Sequence, residues 1–281
     1  MAGTLYIVAT PIGNLEDITL RALRVLKEVD LIACEDTRHT RKLLAHYQIS
    51  KPTVSYHEHN ERERAAELIK KLEAGLSIAL VSDAGTPLIS DPGFQIVRDA
   101  IARQIPVVPI PGPSALVTAL SAAGLPTGDF AFVGFLPSRG AARRARLKGL
   151  ADVKSTLIFY EAPHRIKETI EDARIAFGDR ECVIARELTK LHEEFVRGRL
   201  SEIEVPEGSA RGEIVLLVGP PREGHAKQSA GGATRSIVEE VEQLINAEGL
   251  DQKTALKRVA RERGISKSEA YRLMIAERAK E

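Results

Sequence analysis

Short runs of aliphatic and β-branched residues recur along the first 110 positions of the chain. Residues between several of these runs have helical spacing, as in Ala65, Leu68 and Leu72. Strands that alternate with helices need crossover connections, so the pattern predicts a mostly parallel sheet. The predicted strands are 4–10, 30–34, 53–57, 77–82 and 106–110.

A second series of apolar runs begins after Gly124, where we place a domain boundary. Helical patterns interrupt this series at 141–151 and 165–177, so we expect a mixed sheet with antiparallel pairs near its end. The sequence thus predicts an α/β protein with an N-terminal domain at 1–124, a C-terminal domain at 125–221 and a cleft between them. The strands of the second series are 130–137, 155–163, 182–188, 194–200 and 213–219.

The end of the chain has a different composition. Residues 222–232 lack large apolar side chains and are interpreted as a linker, and 233–281 form a basic tail with a helical pattern throughout. Nine basic and three acidic side chains lie within 252–280, a net charge of +6. We expect Leu256, Val259 and Ala260 to face Tyr271 and Met274 across a helical pair. RNA contact is the preferred role of this tail, and packing on a protein partner is the alternative.

Composition excludes several classes of protein. Hydrophobic residues make up 43% and charged residues 28% of the 281 positions, and 40 basic side chains balance 39 acidic ones, which argues against disorder and wholesale polyanion binding. Cys34 and Cys182 have no zinc-like spacing, and no distant Cys or His completes a ligand set with His57 and His59, so we expect no metal. No run approaches the roughly 20 apolar residues of a membrane span, and a cytoplasmic location is expected.

The loops at the carboxyl ends of the first five strands are rich in glycine, proline and polar residues. The chain has no Walker A pattern and no pair of glycines two residues apart, so neither nucleotide fingerprint is present. The loops SDAGTP and PGPS offer close backbone approach and stiffness. One such loop is usually a tight turn, but two at adjacent strand ends favour a pocket for a ligand with a purine, a ribose and an amino-acid end.

Eight sequence blocks, in order, resemble the ribosomal RNA methyltransferases of the tetrapyrrole methylase superfamily. This superfamily also includes cobalamin-pathway methyltransferases and diphthine synthase. The blocks extend over about residues 4–220, and VSDAGTPLISDPG and FYEAPHR are the most specific of them. The others are TPIGNLEDITLRAL, EDTRHTRKLL, PGPSA, GFLP, ARELTKLHEE and GEIVLLV.

This resemblance implies a two-domain fold that holds S-adenosylmethionine in its cleft and forms a homodimer. It also implies methyl transfer to the ribose 2′-hydroxyl of a cytidine in the decoding region of small-subunit (16S) ribosomal RNA. The partner would be that RNA or the assembled small subunit, and no membrane partner is expected. The implied cofactor-binding residues are Pro11, Gly13, Ser82, Asp83, Ala84, Gly85, Thr86, Pro87, Pro111, Gly112, Pro113, Ser114 and Gly212.

Methyl transfer to a ribose depends mainly on alignment, because the cofactor carries its own electrophile. A carboxylate or imidazole that accepts the hydroxyl proton would raise the rate by about 10²- to 10⁴-fold. A nearby cation could instead stabilise oxyanion charge. Alternatively, Glu161 caps a helix and Arg165 pairs with a carboxylate. The catalytic candidates are Glu161, His164, Lys190, His192 and Glu194.

A cluster of basic residues follows GFLP, with no acidic residue between Asp129 and Asp152. A charge run is usually a solvated helix face, but five cations without a carboxylate favour contact with RNA phosphates. Such contacts position RNA without reading its bases. Arg38 and Arg41 are added because they lie at a strand end, although a surface ion pair with Asp36 is equally consistent. The cations of the cluster are Arg139, Arg143, Arg144, Arg146 and Lys148.

Three other functions remain open from the sequence. A small-molecule methyltransferase acting on a corrinoid precursor would share the fold but would not need the basic segments. A protein-modifying enzyme similar to diphthine synthase would also leave them without a partner. A non-catalytic ribosomal RNA-binding assembly factor would not need the SDAGTP and PGPS loops.

Overall fold

The computed structural model describes two compact units, Met1–Pro220 and Pro221–Glu281. The predicted linker 222–232 lies outside the described residues. No helix in the described part of the chain is long and apolar enough to cross a membrane. The described residues are 2–205, 214–221, 236–248, 250–262 and 267–278.

The first sheet contains five parallel strands, which confirms the predicted N-terminal architecture. Its strands are β1 (Leu5–Val8), β2 (Leu31–Cys34), β3 (Thr53–Ser55), β4 (Ile78–Val81) and β5 (Val107–Ile110), in the order β3-β2-β4-β1-β5. β2 and β4 are buried along their full length, as expected for parallel strands covered on both faces. The accompanying helices are α1 (Leu20–Glu28), α2 (Thr37–His46), α3 (Glu61–Glu73), α4 (Phe94–Ala102) and α5 (Ala115–Ala123).

The second sheet is mixed, also as predicted. Its strands are β6 (Phe130–Phe135), β7 (Thr156–Glu161), β8 (Glu181–Arg186), β9 (Glu194–Arg199) and β10 (Ile214–Val218). The order is β6-β7-β10-β8-β9, with β6 parallel to β7 and the other pairs antiparallel. Two helices, α6 (Gly140–Lys148) and α7 (Ile166–Phe177), pack on one face of this sheet.

The other face of the second sheet packs against α5. Ala119, Leu120 and Ala123 share a buried cluster with Ile158 of β7 and Val215 of β10. The helix therefore follows the first sheet in the chain but contributes its apolar face to the second. The domain boundary at Gly124 stays a prediction, and it cuts directly behind this helix.

The C-terminal unit contains α8 (Ile237–Glu248), α9 (Gln252–Glu262) and α10 (Lys267–Arg278). Its core includes Val241 of α8, Leu256 of α9 and Met274 of α10. Tyr271, which we expected to face Leu256, is instead exposed. Met274, the other residue expected on that face, is buried against Leu256, so the prediction is confirmed for Met274 and wrong for Tyr271.

Candidate active site

A pocket of about 470 Å³ lies where loops at the ends of both sheets meet within the first unit. Ligand pockets typically have volumes of 300–1,000 Å³, so this one can accommodate a nucleoside-sized molecule. The loops after β1, β4 and β5 form one wall, as expected for the carboxyl ends of a parallel sheet. The lining residues are Ile12, Glu35, Asp83, Ala84, Gly85, Thr86, Ile89, Ser90, Asp91, Ser114, Ala115, Phe135, Tyr160, Glu187, Leu188, Lys190 and Val215.

Hydrogen bonds connect three loops of the first sheet. The backbones of Thr10 and Gly85 exchange two bonds, with N···O distances of 2.8 and 2.9 Å. The Thr86 hydroxyl donates to the Pro113 carbonyl at 3.1 Å, and the Ser82 hydroxyl donates within its own loop to Ala84. These bonds hold the three loops against one another and fix the shape of the wall.

Two glycines permit the close approach of these loops. Gly85 has a φ of +80°, and a Cβ atom there would lie 3.3 Å from the Cγ2 atom of Ile12. A Cβ atom on Gly112 would lie 2.8 Å from the Cβ atom of Ala9, closer than such atoms come in proteins. Leu88 and Ser90 also have positive φ values of 72° and 68° without being glycine. Such strained backbone is concentrated at ligand sites in proteins.

The loop after β8 forms the opposite wall. Glu187 and Thr189 both have left-handed backbones, with φ values of 51° and 65°. The Lys190 ammonium pairs with the Glu187 carboxylate at 2.8 Å, and the Thr189 amide donates to Glu193 at 2.7 Å. This loop contacts the β1 loop, because a Cβ atom on Gly13 would lie 2.6 Å from the Cγ atom of Lys190.

The pocket has an acidic lining. Four carboxylates belong to it, those of Glu35, Asp83, Asp91 and Glu187, and Lys190 is the basic side chain among the described lining residues. Asp83 also accepts a hydrogen bond from the Asp36 amide at 3.1 Å. An excess of negative charge in a partly enclosed cleft favours a cationic ligand.

Of the catalytic candidates, Lys190 lines the pocket. The prediction for Glu161 is wrong, because its side chain has no exposed surface and accepts bonds from the Ala162 amide at 2.8 Å, the Thr169 hydroxyl at 2.7 Å and the Arg165 guanidinium. Glu161 therefore anchors the start of α7, which was the alternative considered for it. Carboxylates at strand ends are not all directed into clefts.

The other three candidates are absent from the lining that the described residues form. His164 and His192 are exposed, and Glu194 pairs across the strands with Arg186. Their catalytic assignment receives no support from this geometry. Each lies within a few residues of a lining residue in the sequence but is not itself part of the lining.

The cofactor-binding candidates divide into lining and supporting residues. Asp83, Ala84, Gly85, Thr86 and Ser114 line the pocket. The remaining candidates among the described residues belong to the loops that shape the wall, and Gly212 lies outside the described residues. The supporting residues are Pro11, Gly13, Ser82, Pro87, Pro111, Gly112 and Pro113.

The prediction for Arg143 is also wrong. This side chain is 3% exposed, and its Nε atom donates to Asp172 at 2.7 Å while its Nη2 atom donates to Glu168 at 3.0 Å. It ties α6 to α7 and is not accessible to RNA. The other four cations of this helix region, Arg139, Arg144, Arg146 and Lys148, are exposed.

Arg38 and Arg41 are exposed but already have partners. Arg38 forms a 2.7 Å ion pair with Asp36, whose pKa its guanidinium holds well below the usual range, and Arg41 donates to Thr53 at 3.2 Å. The surface ion pair considered for Arg38 is therefore present. Contact with RNA would require this pair to rearrange.

Sequence reasoning missed several lining residues. Glu35 and Glu187 follow β2 and β8 directly, so their strand-end position was an available signal. Ser90 and Asp91 lie in the block that carried the resemblance, but beyond its first turn. Phe135 and Tyr160 lie in the GFLP and FYEAPHR blocks of the resemblance, but neither residue was singled out as a pocket residue.

Comparisons with known proteins agree with this architecture. Residues 4–204 match the sequence profile of the Tetrapyrrole (Corrin/Porphyrin) Methylases. A protein of Halalkalibacterium halodurans named ribosomal RNA small subunit methyltransferase I is 50% identical over 273 residues, which cover 96% of this chain and 94% of the relative. The protein of the same name from Pseudomonas aeruginosa is 47% identical, with 99% of both chains covered.

Two solved structures share the fold. Uroporphyrin-III C-methyltransferase from Thermus thermophilus, complexed with S-adenosyl homocysteine, has a TM-score of 0.55 at 22% identity and covers 77% of this chain and 97% of its own. The methyltransferase CobJ has a TM-score of 0.60 at 20% identity, with coverages of 79% and 98%. At these identities the likeness concerns the fold.

Proposed function

The chain belongs to the tetrapyrrole methylase family, within the group of ribosomal RNA small subunit methyltransferase I proteins, and we propose that it methylates a ribose of small-subunit ribosomal RNA. The proposed acceptor is the 2′-hydroxyl of a cytidine in the decoding region, and the proposed methyl donor is S-adenosylmethionine. The observation that carries the proposal is the acidic pocket at the meeting point of two sheets, in a chain half identical to relatives of that name over nearly its full length.

The pocket residues fit such a donor. Its volume suits a nucleoside with an amino-acid end, and the glycine cradle at Gly85 leaves room for close backbone contact. The surrounding carboxylates suit a sulfonium and an ammonium group. When bound, the cofactor supplies a methyl group on positively charged sulfur, which is the electrophile of the reaction. The residues proposed to hold it are Asp83, Ala84, Gly85, Thr86 and Ser114, with Gly13, Ser82 and Gly112 shaping their loops.

Lys190 is the catalytic residue that the geometry favours. Its ammonium lies in the pocket lining and is oriented by Glu187 at 2.8 Å. From there it would bind the ribose oxygen and stabilise the negative charge that develops on it as the hydroxyl proton passes to water and the oxygen takes the methyl group. Alignment of the hydroxyl with the methyl group would supply most of the rate, since the pocket walls are fixed by hydrogen bonds before any ligand enters.

The exposed cations of α6 supply the proposed RNA surface. Arg139, Arg144, Arg146 and Lys148 follow β6, whose last residue Phe135 belongs to the pocket lining. Buried Arg143 fixes the helix that carries them, through Asp172 and Glu168. Phosphate contacts at this helix, which follows a strand that ends at the pocket, would place an RNA strand across the pocket mouth. The homodimer stays a prediction that rests on family resemblance, and the cytoplasmic location stays a prediction from the sequence.

A direct test incubates the purified protein with radiolabelled S-adenosylmethionine and small ribosomal subunits that lack the modification. Nuclease digestion and mass spectrometry then locate the label. We expect label on the ribose of one cytidine in the small-subunit RNA. If no label appears while a titration still detects cofactor binding, the RNA substrate is wrong and corrinoid precursors and proteins become the substrates to assay.

A further inference from the structure

Phe135 is an exposed aromatic residue at the rim of the pocket. Its surface is 46% exposed, although the residue belongs to the pocket lining. Exposed apolar residues are ordinary when scattered over a surface, but one in the lining of an acidic pocket is directed at the ligand space. The methyl donor and the phosphate-binding helix do not account for it.

A β-bulge directs this side chain towards the pocket. β6 and β7 pair Phe132 with Ile158 and Gly134 with Phe159, so Val133 is an additional residue in β6. Gly134 has a φ of +75°, which suits a bulge position. Because side chains alternate along a strand, an unbroken β6 would place Phe132 and Phe135 on opposite faces. The bulge places both on one face of the sheet.

Tyr160 holds the two rings on that face. Its ring centroid lies 4.9 Å from that of Phe132 and 5.6 Å from that of Phe135, and both contacts are edge-to-face. Tyr160 is itself buried and lines the pocket. Phe135 is therefore supported from beneath while nearly half of its surface stays open, which gives a flat apolar platform that loses little freedom on binding.

We infer that Phe135 stacks against the base of the acceptor nucleotide, so that the substrate is a nucleotide already unstacked from its RNA neighbours. This inference rests on the proposed function. Protein aromatic rings recognise single-stranded RNA by stacking on unpaired bases, and every base offers a suitable face. Phosphates held by α6, which begins five residues after Phe135, and a base held by the ring would together orient the ribose between them.

The test compares Phe135→Ala, Phe135→Leu and Phe135→Trp with the wild-type protein and a matched control. Phe130→Ala is that control, because Phe130 lies on the same strand, is 42% exposed and pairs with Thr156 at the other end of β6. The assay measures KM for small subunits lacking the modification, and calorimetry measures S-adenosylmethionine binding. We expect the Ala and Leu variants to raise KM about 5- to 150-fold, which corresponds to roughly 1–3 kcal/mol of stacking, while Trp retains wild-type KM.

The same data distinguish failure of this inference from failure of the proposed function. No RNA label with the wild-type protein overturns both. Label with the wild-type protein, together with Leu or Ala variants that match Phe130→Ala, overturns the stacking role alone. Weaker S-adenosylmethionine binding by Phe135→Leu would assign the ring to the cofactor and would also overturn the stacking role. Raised KM with unchanged cofactor affinity, and recovery in Phe135→Trp, supports it.

Discussion

Arg143 offers the sharpest test of how the first unit is held together. Replacing it by alanine removes the guanidinium from Asp172, whose side chain is 9% exposed, and leaves Arg144 at 3.5 Å as the ion-pair partner of that carboxylate among the described residues. Breaking a buried ion pair by removing one partner costs about 3–5 kcal/mol. The contact with Glu168 adds little, because that side chain is 71% exposed.

Two features place the expected loss at the lower end of this range. Arg144 can move closer to Asp172, and the Nη1 atom of Arg143 is buried without a hydrogen-bond partner among the described residues, so truncation also removes an unfavourable group. We therefore expect Arg143→Ala to lower the free energy of unfolding by about 3 kcal/mol. For a unit of this size the melting temperature should fall by about 6–12 °C.

Urea denaturation and thermal melting provide the measurements. Arg146→Ala, on the exposed side of the same helix, is the control and should change stability by less than about 0.5 kcal/mol. The double variant Arg143→Met with Asp172→Leu should recover most of the loss, since both charges leave together. A loss with Arg143→Ala no greater than with Arg146→Ala would refute the reasoning.

Three further outcomes follow from the pocket and its surroundings. Gly85→Val should abolish S-adenosylmethionine binding in calorimetry, because φ at this position is +80° and the new side chain would contact the β1 loop. Gly128→Ala, whose added Cβ atom would have open space around it, should bind S-adenosylmethionine normally. Equal affinities of the two variants would show that the cofactor does not bind at the Gly85 loop. Glu161→Gln should lower the melting temperature but leave the rate of methyl transfer unchanged at temperatures where the variant is folded. If Glu161 were the proton acceptor, the same change would instead lower the rate by about 10²- to 10⁴-fold without destabilising the protein. Replacing Arg144 and Arg146 by alanine should weaken RNA binding and reduce the slope of log affinity against log salt by about 2, with cofactor binding as the control, and an unchanged slope would remove these cations from the RNA surface.

The sheets could be predicted because their strands are continuous apolar runs separated by helical spacing. β2 and β4 have no polar residue within their bounds, and burial on both faces follows directly from that pattern. The wall of the pocket could be predicted for a related reason. Gly85 and Gly112 stand at strand ends where their missing side chains permit loop contact.

The errors come from tertiary contacts that local pattern does not contain. Arg143 belongs to a charge run, and its burial depends on Asp172 from another helix, although Leu147 four residues later already marked that face as apolar. Glu161 ends a strand like a site residue, but Thr169 and Arg165 enclose it. Phe135 required knowledge of a bulge, which is defined by pairing with β7.

The packing of α5 on the second sheet has a consequence for synthesis of the chain. β10, the central strand of that sheet, ends at Val218, roughly 100 residues after α5 ends at Ala123. At a synthesis rate of 5–20 residues per second, β10 is completed roughly 5–20 s after α5, and the apolar face of α5 is not covered by that strand until then. The first sheet can form earlier, but the apolar face of α5 stays exposed on the nascent chain through this interval, and transiently exposed apolar surface is what chaperones bind.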